Sequence, residues 1–422
     1  MLHAESFDIL AAREKPHILA YTYAITHIRL RKGDIMKFGS RQMISVAISM
    51  LIVCLLSVGW ANAQAAQAAQ QPRPQMAEEI FKNIPVIKGI PVDEFMDTMG
   101  MFSNALAMNC TDCHTSDSTS AWANFAKDTP LKMMARRMAL MVQGINKNNF
   151  AGERKVTCYT CHHGEQKPKS NAGLTVQYSA PIEDPNEVDI PPRGYPNAPT
   201  ADAVFNKYLQ AVGGAQRAGA ITSITAKGTY VGYDTDHGKV PVDILVKAPN
   251  QRSHIVHALF GDKVVVTDGR NGWFSSPDKP APLIQLSGGN LDGAKLDSMV
   301  WFPTLLKTMA TNWRVGSTSI EDKDVQVVQG TVGGQNFNLY FDEETGLLLR
   351  MVRFADSLMG RVPTQMDFSN YKEVNGVKMP FTIITTWTDN QTTTELTSIQ
   401  ANQAIDAAKF NRPNPAPPPK LQ

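Results

Sequence analysis

The sequence predicts a multidomain chain: an all-α region, about 76–165, followed by an α+β region, about 200–410, built on a curved antiparallel sheet. Three observations carry this division. Apolar residues recur with a helical period before residue 165, and β-branched runs broken by glycine turn pairs take over after residue 220. Between Glu165 and Thr200 the chain holds Pro168, Pro181, Pro185, Pro191, Pro192, Pro196 and Pro199, a density that no helix or central strand survives. Residues 166–199 therefore read as an extended linker, or as a strap laid over the surface. The third observation is a pair of short motifs inside the helical region, Cys110-Thr-Asp-Cys113-His114 and Cys158-Tyr-Thr-Cys161-His162.

Each motif is a C-x-x-C-H, the attachment signature of a c-type haem. Two thiols one helical turn apart add to the two vinyl groups of the porphyrin, and the adjacent His binds iron. Two other uses of paired cysteines are zinc ligation and exported disulfides. The 44 residues between Cys113 and Cys158 exceed a zinc-ribbon spacing. Neither use needs a His after both pairs. With 9 histidines in 422 residues, that coincidence has odds of roughly one in two thousand. The fifth cysteine, Cys54, lies in a segment expected to be removed, so every cysteine of the mature chain sits in a motif. Two covalently attached haems are the cofactors expected.

Residues 1–63 read as an N-terminal extension and signal peptide. Lys37, Arg41 and the apolar run Met43–Trp60 precede Ala61-Asn62-Ala63, an A-x-A cleavage signal, so the mature chain is expected to begin at Gln64. The alternative is an uncleaved anchor. Cys54 follows Val53 rather than a small residue and makes a poor lipid-attachment site. Export suits haem attachment and points to a periplasmic protein, either free or membrane-associated. The net charge of +2 gives nucleic-acid binding no support. A proline-rich tail closes the chain at 411–422.

In the helical region, Phe95, Met99, Phe102 and Leu106 form a 3.6-residue stripe over Val92–Cys110. Met99 lies eleven residues before Cys110, three turns plus about 20°, so both occupy one face. Met99 is thus placed to reach the iron side opposite His114, with Met96 in reserve. Met101 points away, and Met108 is too close to the attachment point. A second helix opens at Thr129-Pro130, with proline at its first position, and carries the stripe Leu131, Met134, Met138, Met141, Val142 and Ile145. A loop, Asn146–Thr157, leads to Cys158, and spacing alone leaves Met134, Met138 and Met141 all open as partners of His162. Eight methionines between Met96 and Met141, both counted, set this region apart from an ordinary core. His163 cannot share iron with its neighbour His162 and reads as solvated.

The stretch Asn83–Gly164, containing IPVIKGIPVDEFMDTMGMFSNALAMNCTDCH, ARRMALMVQGINKNNF and VTCYTCHHG, resembles the cytochrome c subunit of photosynthetic reaction centres. In that family each haem follows a helix that donates a Met, with His below. The resemblance implies His114 with Met99, and His162 with Met138. Typical members carry four haems; this chain has two motifs, as a shortened relative would. The implied function is electron transfer between redox proteins, in photosynthetic or respiratory transport, with membrane-associated partners and no catalysis.

Beyond the linker, a helix is expected at Ala203–Val212 and another at about Leu291–Ala310. Strands are expected at Ala220–Tyr230, Val240–Lys247, Ser253–Leu259, Lys263–Thr267, Val325–Val332, Asn336–Phe341, Leu347–Phe354, Thr364–Phe368 and Thr382–Thr386. The segments VTDGRNGWF, LYFDEETGLLLRM and FSNYKEVNGVKMPFTI resemble the half-barrel of LolA-like lipoprotein carriers. That resemblance implies a concave apolar surface able to hold a lipid or dock a partner. His254 and His257, three apart on a strand, face opposite sides and do not share a metal. Asp342, Glu343 and Glu344 belong to a hairpin turn. Two further readings stand beside the electron carrier. One is a haem enzyme with an open iron position, peroxidase-like, using Tyr159, Arg136 or Arg137. The other is a lipid-binding sheet with accessory haems.

Overall fold

The computed structural model describes residues 73–171, 184, 186–188, 190–191, 195 and 197–415. The signal-peptide reading and most of the proline-rich tail lie outside these residues. The described part is a helical region followed by a thirteen-stranded antiparallel sheet.

The helical region comprises α1 (Ala77–Ile80), α2 (Val92–Leu106), α3 (Cys110–Cys113), α4 (Pro130–Asn149) and α5 (Cys158–His162). Thr129 caps α4, its hydroxyl accepting from Lys132 N at 3.1 Å ahead of Pro130. Helix α4 runs through Asn149, so the segment expected to be loop from Asn146 onward begins with another helical turn.

After α6 (Ala201–Ala211) and α7 (Ala215–Gly219) the sheet begins. Its strands are β1 (Ser223–Gly232), β2 (Val240–Lys247), β3 (Gln251–Ala258), β4 (Gly261–Thr267), β5 (Gly272–Ser275) and β6 (Leu283–Gln285), then β7 (Arg314–Ile320), β8 (Lys323–Val332), β9 (Gln335–Asp342), β10 (Leu348–Ser357), β11 (Gly360–Val374), β12 (Val377–Trp387) and β13 (Asn390–Ala401). The spatial order is β6-β5-β4-β3-β2-β1-β13-β12-β11-β10-β9-β8-β7. This is two meanders joined by the β1–β13 pair, and one crossover carries the chain from one edge to the other through α8 (Gly288–Met299). Two-residue turns with positive φ at Gly333-Gly334 and Asn375-Gly376 close the β8–β9 and β11–β12 hairpins. The helix expected to reach Ala310 stops at Met299, and a 3₁₀ segment, Pro303–Thr308, starts at the proline that breaks it.

The main core lies between one sheet face and a cover of α6, α8 and the Pro303–Thr308 turn, with Phe205, Tyr208, Leu296, Phe302 and Leu306 buried against Ile224, Ile244, Leu339 and Met351. The opposite face carries a smaller cluster in which Ile190, from the proline-rich stretch, is buried against Val325, Tyr340 and Val352. Within the main core Arg353 of β10 grips Asp297 of α8 through two bonds of 2.8 and 2.9 Å, and Arg252 of β3 faces the same carboxylate. Asp297→Asn strands both cations in a desolvated space. Its expected cost is about 3–5 kcal/mol in urea unfolding, and a loss below about 1 kcal/mol contradicts this role for the carboxylate.

His254 and His257 take opposite sides of β3, as the pattern predicts. Burial pushes His254 down to about 3. Partial burial of His257 works against its charge, but hydrogen bonds to Asp262 (2.8 Å) and Asp243 (3.3 Å) outweigh it and raise its pKa. A histidine whose folded pKa is raised stabilises the fold below its unfolded value, about 6.5. That contribution is lost as pH rises through the folded value. The unfolding midpoint should therefore contain a component that falls on going from slightly acidic to alkaline pH, and His257→Gln should abolish it.

Candidate haem sites

The first motif follows directly from the end of α2. Ala107 takes a left-handed conformation (φ 49°) and terminates the helix, with Met108 N bonded back to Ser103 O at 3.1 Å. Asn109 then caps α3, its side-chain oxygen accepting from Thr111 N at 2.9 Å and Asp112 N at 3.1 Å, while Asp112 accepts Asn109 N at 2.8 Å. One turn of helix sets Cys110 and Cys113 on one side, and His114 N closes on Cys110 O at 2.9 Å. The second motif repeats this design with Thr157 as cap, accepting from Thr160 N at 3.3 Å.

Both histidines make the same bond. His114 Nδ1–H donates to Phe125 O at 3.1 Å, and His162 Nδ1–H donates to Glu165 O at 3.0 Å. A carbonyl oxygen can only accept, so each Nδ1 carries the proton and each Nε2 keeps its lone pair for a metal. This is the tautomer and outer-shell partner that metal-bound imidazoles require. His163 ends α5 in a left-handed conformation (φ 49°) and lies exposed against the edge of Tyr159.

The four thiols are free. Burial pushes Cys158 up to about 11; burial, together with Asp389 and Asp112, raises Cys110, and burial with Asp112 raises Cys113. Among the described residues no three His, Cys, Asp or Glu side chains converge on a metal-sized site. The donor set thus fits covalent haem better than zinc: paired thiols one turn apart, an imidazole with Nε2 free, and apolar surface beside them.

Met99 is half-buried beside the cluster of Ala77, Ile87, Ile90 and Phe95, whereas Met96 on the same helix is 47 % exposed. Met101 faces the other way, into a cluster with Ala105, Ala139, Cys158, Met359 and Val362. On α4, Met138 is half-buried next to Ala139 and Val142, while Met134 and Met141 lie on the exposed side. Arg136 binds Asp128 and Asn83 O, both at 2.7 Å, and so braces a loop; the Arg137 guanidinium lies 3.5 Å from Met134 Sδ.

Helix α4 links the two sites. At one end the Thr129 hydroxyl donates to Cys113 O at 2.5 Å. At the other, buried Asn146 bonds the Val156 backbone twice, donating to its carbonyl at 2.7 Å and accepting its amide at 2.9 Å. The two contacts lie about 25 Å apart along the helix axis. Sequence reasoning missed Asn146, although its register with Ala139 and Val142 marks a polar residue on the buried face.

The helical region is stapled to the sheet. Gly100 of α2 lies so close to the β12–β13 turn that a Cβ there would come within 2.5 Å of Thr388 Oγ1. Buried Asp93 accepts from Ser287 N at 2.6 Å and from its hydroxyl at 2.9 Å, Asp97 accepts from Asn290 at 2.6 Å, and Trp122 Nε1 donates to Asp278 O at 2.9 Å. Arg154 reaches Ser357 O and pairs with Asp356 at 3.1 Å.

Comparison with known proteins finds similarity in both regions of the chain. Residues 54–182 match the family model of the photosynthetic reaction centre cytochrome C subunit. The photosynthetic reaction center cytochrome c subunit of Thermochromatium tepidum is 35% identical over 106 residues, covering 24% of this chain and 25% of the relative. That of Roseobacter denitrificans is 33% identical over 101 residues, covering 22% and 27%. The chain thus spans about a quarter of the length of these relatives. Among solved structures, a LolA superfamily protein from Nitrosomonas europaea aligns with TM-score 0.36 at 15% identity, covering 51% of this chain and 98% of that one. A DUF1329 family protein from Desulfovibrio piger aligns with TM-score 0.34 at 11% identity, covering 50% and 96%.

Asn146→Ala removes both partners of the Val156 backbone ahead of Cys158. The expected loss is about 2–3 kcal/mol of stability, and a fall in haem attachment confined to the second motif, read as haem per chain in the exported protein. Equal loss at both motifs contradicts a local role.

Proposed function

We propose that this chain is an exported dihaem c-type cytochrome that transfers electrons between redox proteins on the periplasmic side of a membrane. The observation that carries the proposal is the shared bond of the two motif histidines: each gives its Nδ1 proton to a backbone carbonyl and keeps Nε2 free. In this reading Cys110 and Cys113 would hold one haem covalently, with His114 and Met99 as the residues that would bind its iron. Cys158 and Cys161 would hold the other, with His162 and Met138. Bound haem supplies a reversible one-electron couple, and His/Met ligation sets a higher potential than two histidines would.

The protein's own part is to orient and to exclude. Asn109 and Thr157 set the attachment turns, Phe125 O and Glu165 O fix the imidazoles, and half-buried Met99 and Met138 would supply the thioether ligands. The leader within residues 1–63 directs export, and the partners are membrane-associated redox proteins. Arg136 is committed to Asp128 and Asn83, which disfavours it as the distal polar group of a haem enzyme. Lipid carriage finds little support, since α6, α8 and the Pro303–Thr308 turn fill the apolar face of the sheet.

Reduced, exported protein should show an absorbance spectrum unchanged by carbon monoxide, because both irons are closed. Met99→Ala and Met138→Ala should each open one haem to carbon monoxide and leave the other unaffected. A spectral shift in the unmodified protein overturns the carrier reading in favour of a haem enzyme.

A further inference from the structure

The two histidine-bonded carbonyls are not equivalent. Phe125 O, which accepts His114 Nδ1–H, also accepts the Lys132 ammonium at 2.8 Å, and the same ammonium reaches Lys127 O at 2.6 Å. Glu165 O accepts His162 Nδ1–H and, among the described residues, bonds no cation. A carbonyl already polarised by an ammonium offers less electron density to the imidazole N–H. The cation also places positive charge beside the ring. Both effects make His114 a weaker electron donor to its metal than His162, which favours the reduced metal.

Asp128 favours the Lys132 charge, but the burial of the lysine and the neighbouring Arg136 oppose it. Lys132 sits in the first turn of α4, at the positive end of the helix dipole, where a cation is disfavoured. It is half-buried rather than extended into water. The loop that receives it is held from outside, through Trp122 on Asp278 O, Lys279 stacked 5.0 Å over the Trp122 ring, and Asn83 bonded to Ala126 O at 2.7 Å. A local rule is broken, and the surrounding structure sustains it.

We propose that Lys132, acting through Phe125 O, raises the reduction potential of the iron site at His114 above that of the site at His162. Lys132 is a positioning residue: it touches neither ligand nor metal. The inference rests on the dihaem reading and adds a direction to it, with the first site the electron-retaining one.

Spectroelectrochemical titration of the exported two-haem protein tests it. The expected result is two one-electron transitions, of which Lys132→Met and Lys132→Gln lower the upper one by at least tenfold in its redox equilibrium, 59 mV for one electron, and leave the lower in place. Lys132→Arg keeps the cation and should keep the upper potential. Movement of the lower transition, or of neither, with both haems still attached overturns the proposal and leaves the carrier reading intact. Absence of covalent haem from the unmodified protein overturns both. Should Lys132→Met lose haem, Lys132→Gln decides, because its amide still donates to Phe125 O without the charge.

Discussion

The close approach of α2 to the sheet is the constraint on which both sites depend. Gly100 admits the Thr388 hydroxyl where any side chain would collide, and Gly360, at φ 144°, lies against Met101 and Thr157. With that seam closed, one side of α2 is spent on the sheet through Asp93, Met101 and Ala105, and the other carries Met99. That helix ends at Leu106, and left-handed Ala107 turns the chain into α3, so Cys110 opens a new helix and does not continue the Met99 face as the eleven-residue spacing predicts. Gly164 N bonds Ala105 O at 3.0 Å, so the second motif is registered against the same helix. The fold thereby fixes two attachment turns relative to one rigid element.

The sheet serves as more than a companion module. Without a wide apolar core of its own, a helical region of about 90 residues gains little from burial. Here Val92 is buried with Ala281 and Ile284, and Cys158 with Met359 and Val362. The 3₁₀ segment Trp122–Ala126, which supplies Phe125 O, is held in turn by Trp122 on Asp278 O and by Lys279 over the Trp122 ring. An axial imidazole is only as well oriented as the carbonyl that holds its other nitrogen.

Much of this was legible in the sequence. Turn pairs such as Gly333-Gly334 located the hairpins, and the short capped helices at Cys110 and Cys158 fall where the two C-x-x-C-H motifs stand in the sequence. Strand β13 was missed because its segment, NQTTTELTSIQA, is mostly polar and its inward side begins with Thr392 and Thr394 before Leu396, while a three-residue step to Ile399 breaks the period-two pattern. Asp93 looks like an ordinary first-turn helix acid and Asp97 like a solvated one a turn later; their partners Ser287 and Asn290 lie more than 190 residues away, beyond any local pattern. Lys132 was invisible for the same reason, since its meaning depends on a carbonyl seven residues back in a loop that the sheet holds in place.

The most direct test of the account is the intact mass of the exported chain after denaturation, when only covalently held groups remain. The expected result is one species carrying two haem masses, with Cys158→Ala and Cys161→Ala together reducing it to one haem at Cys110 and Cys113. A denatured chain without added haem, or one that releases zinc instead, contradicts it.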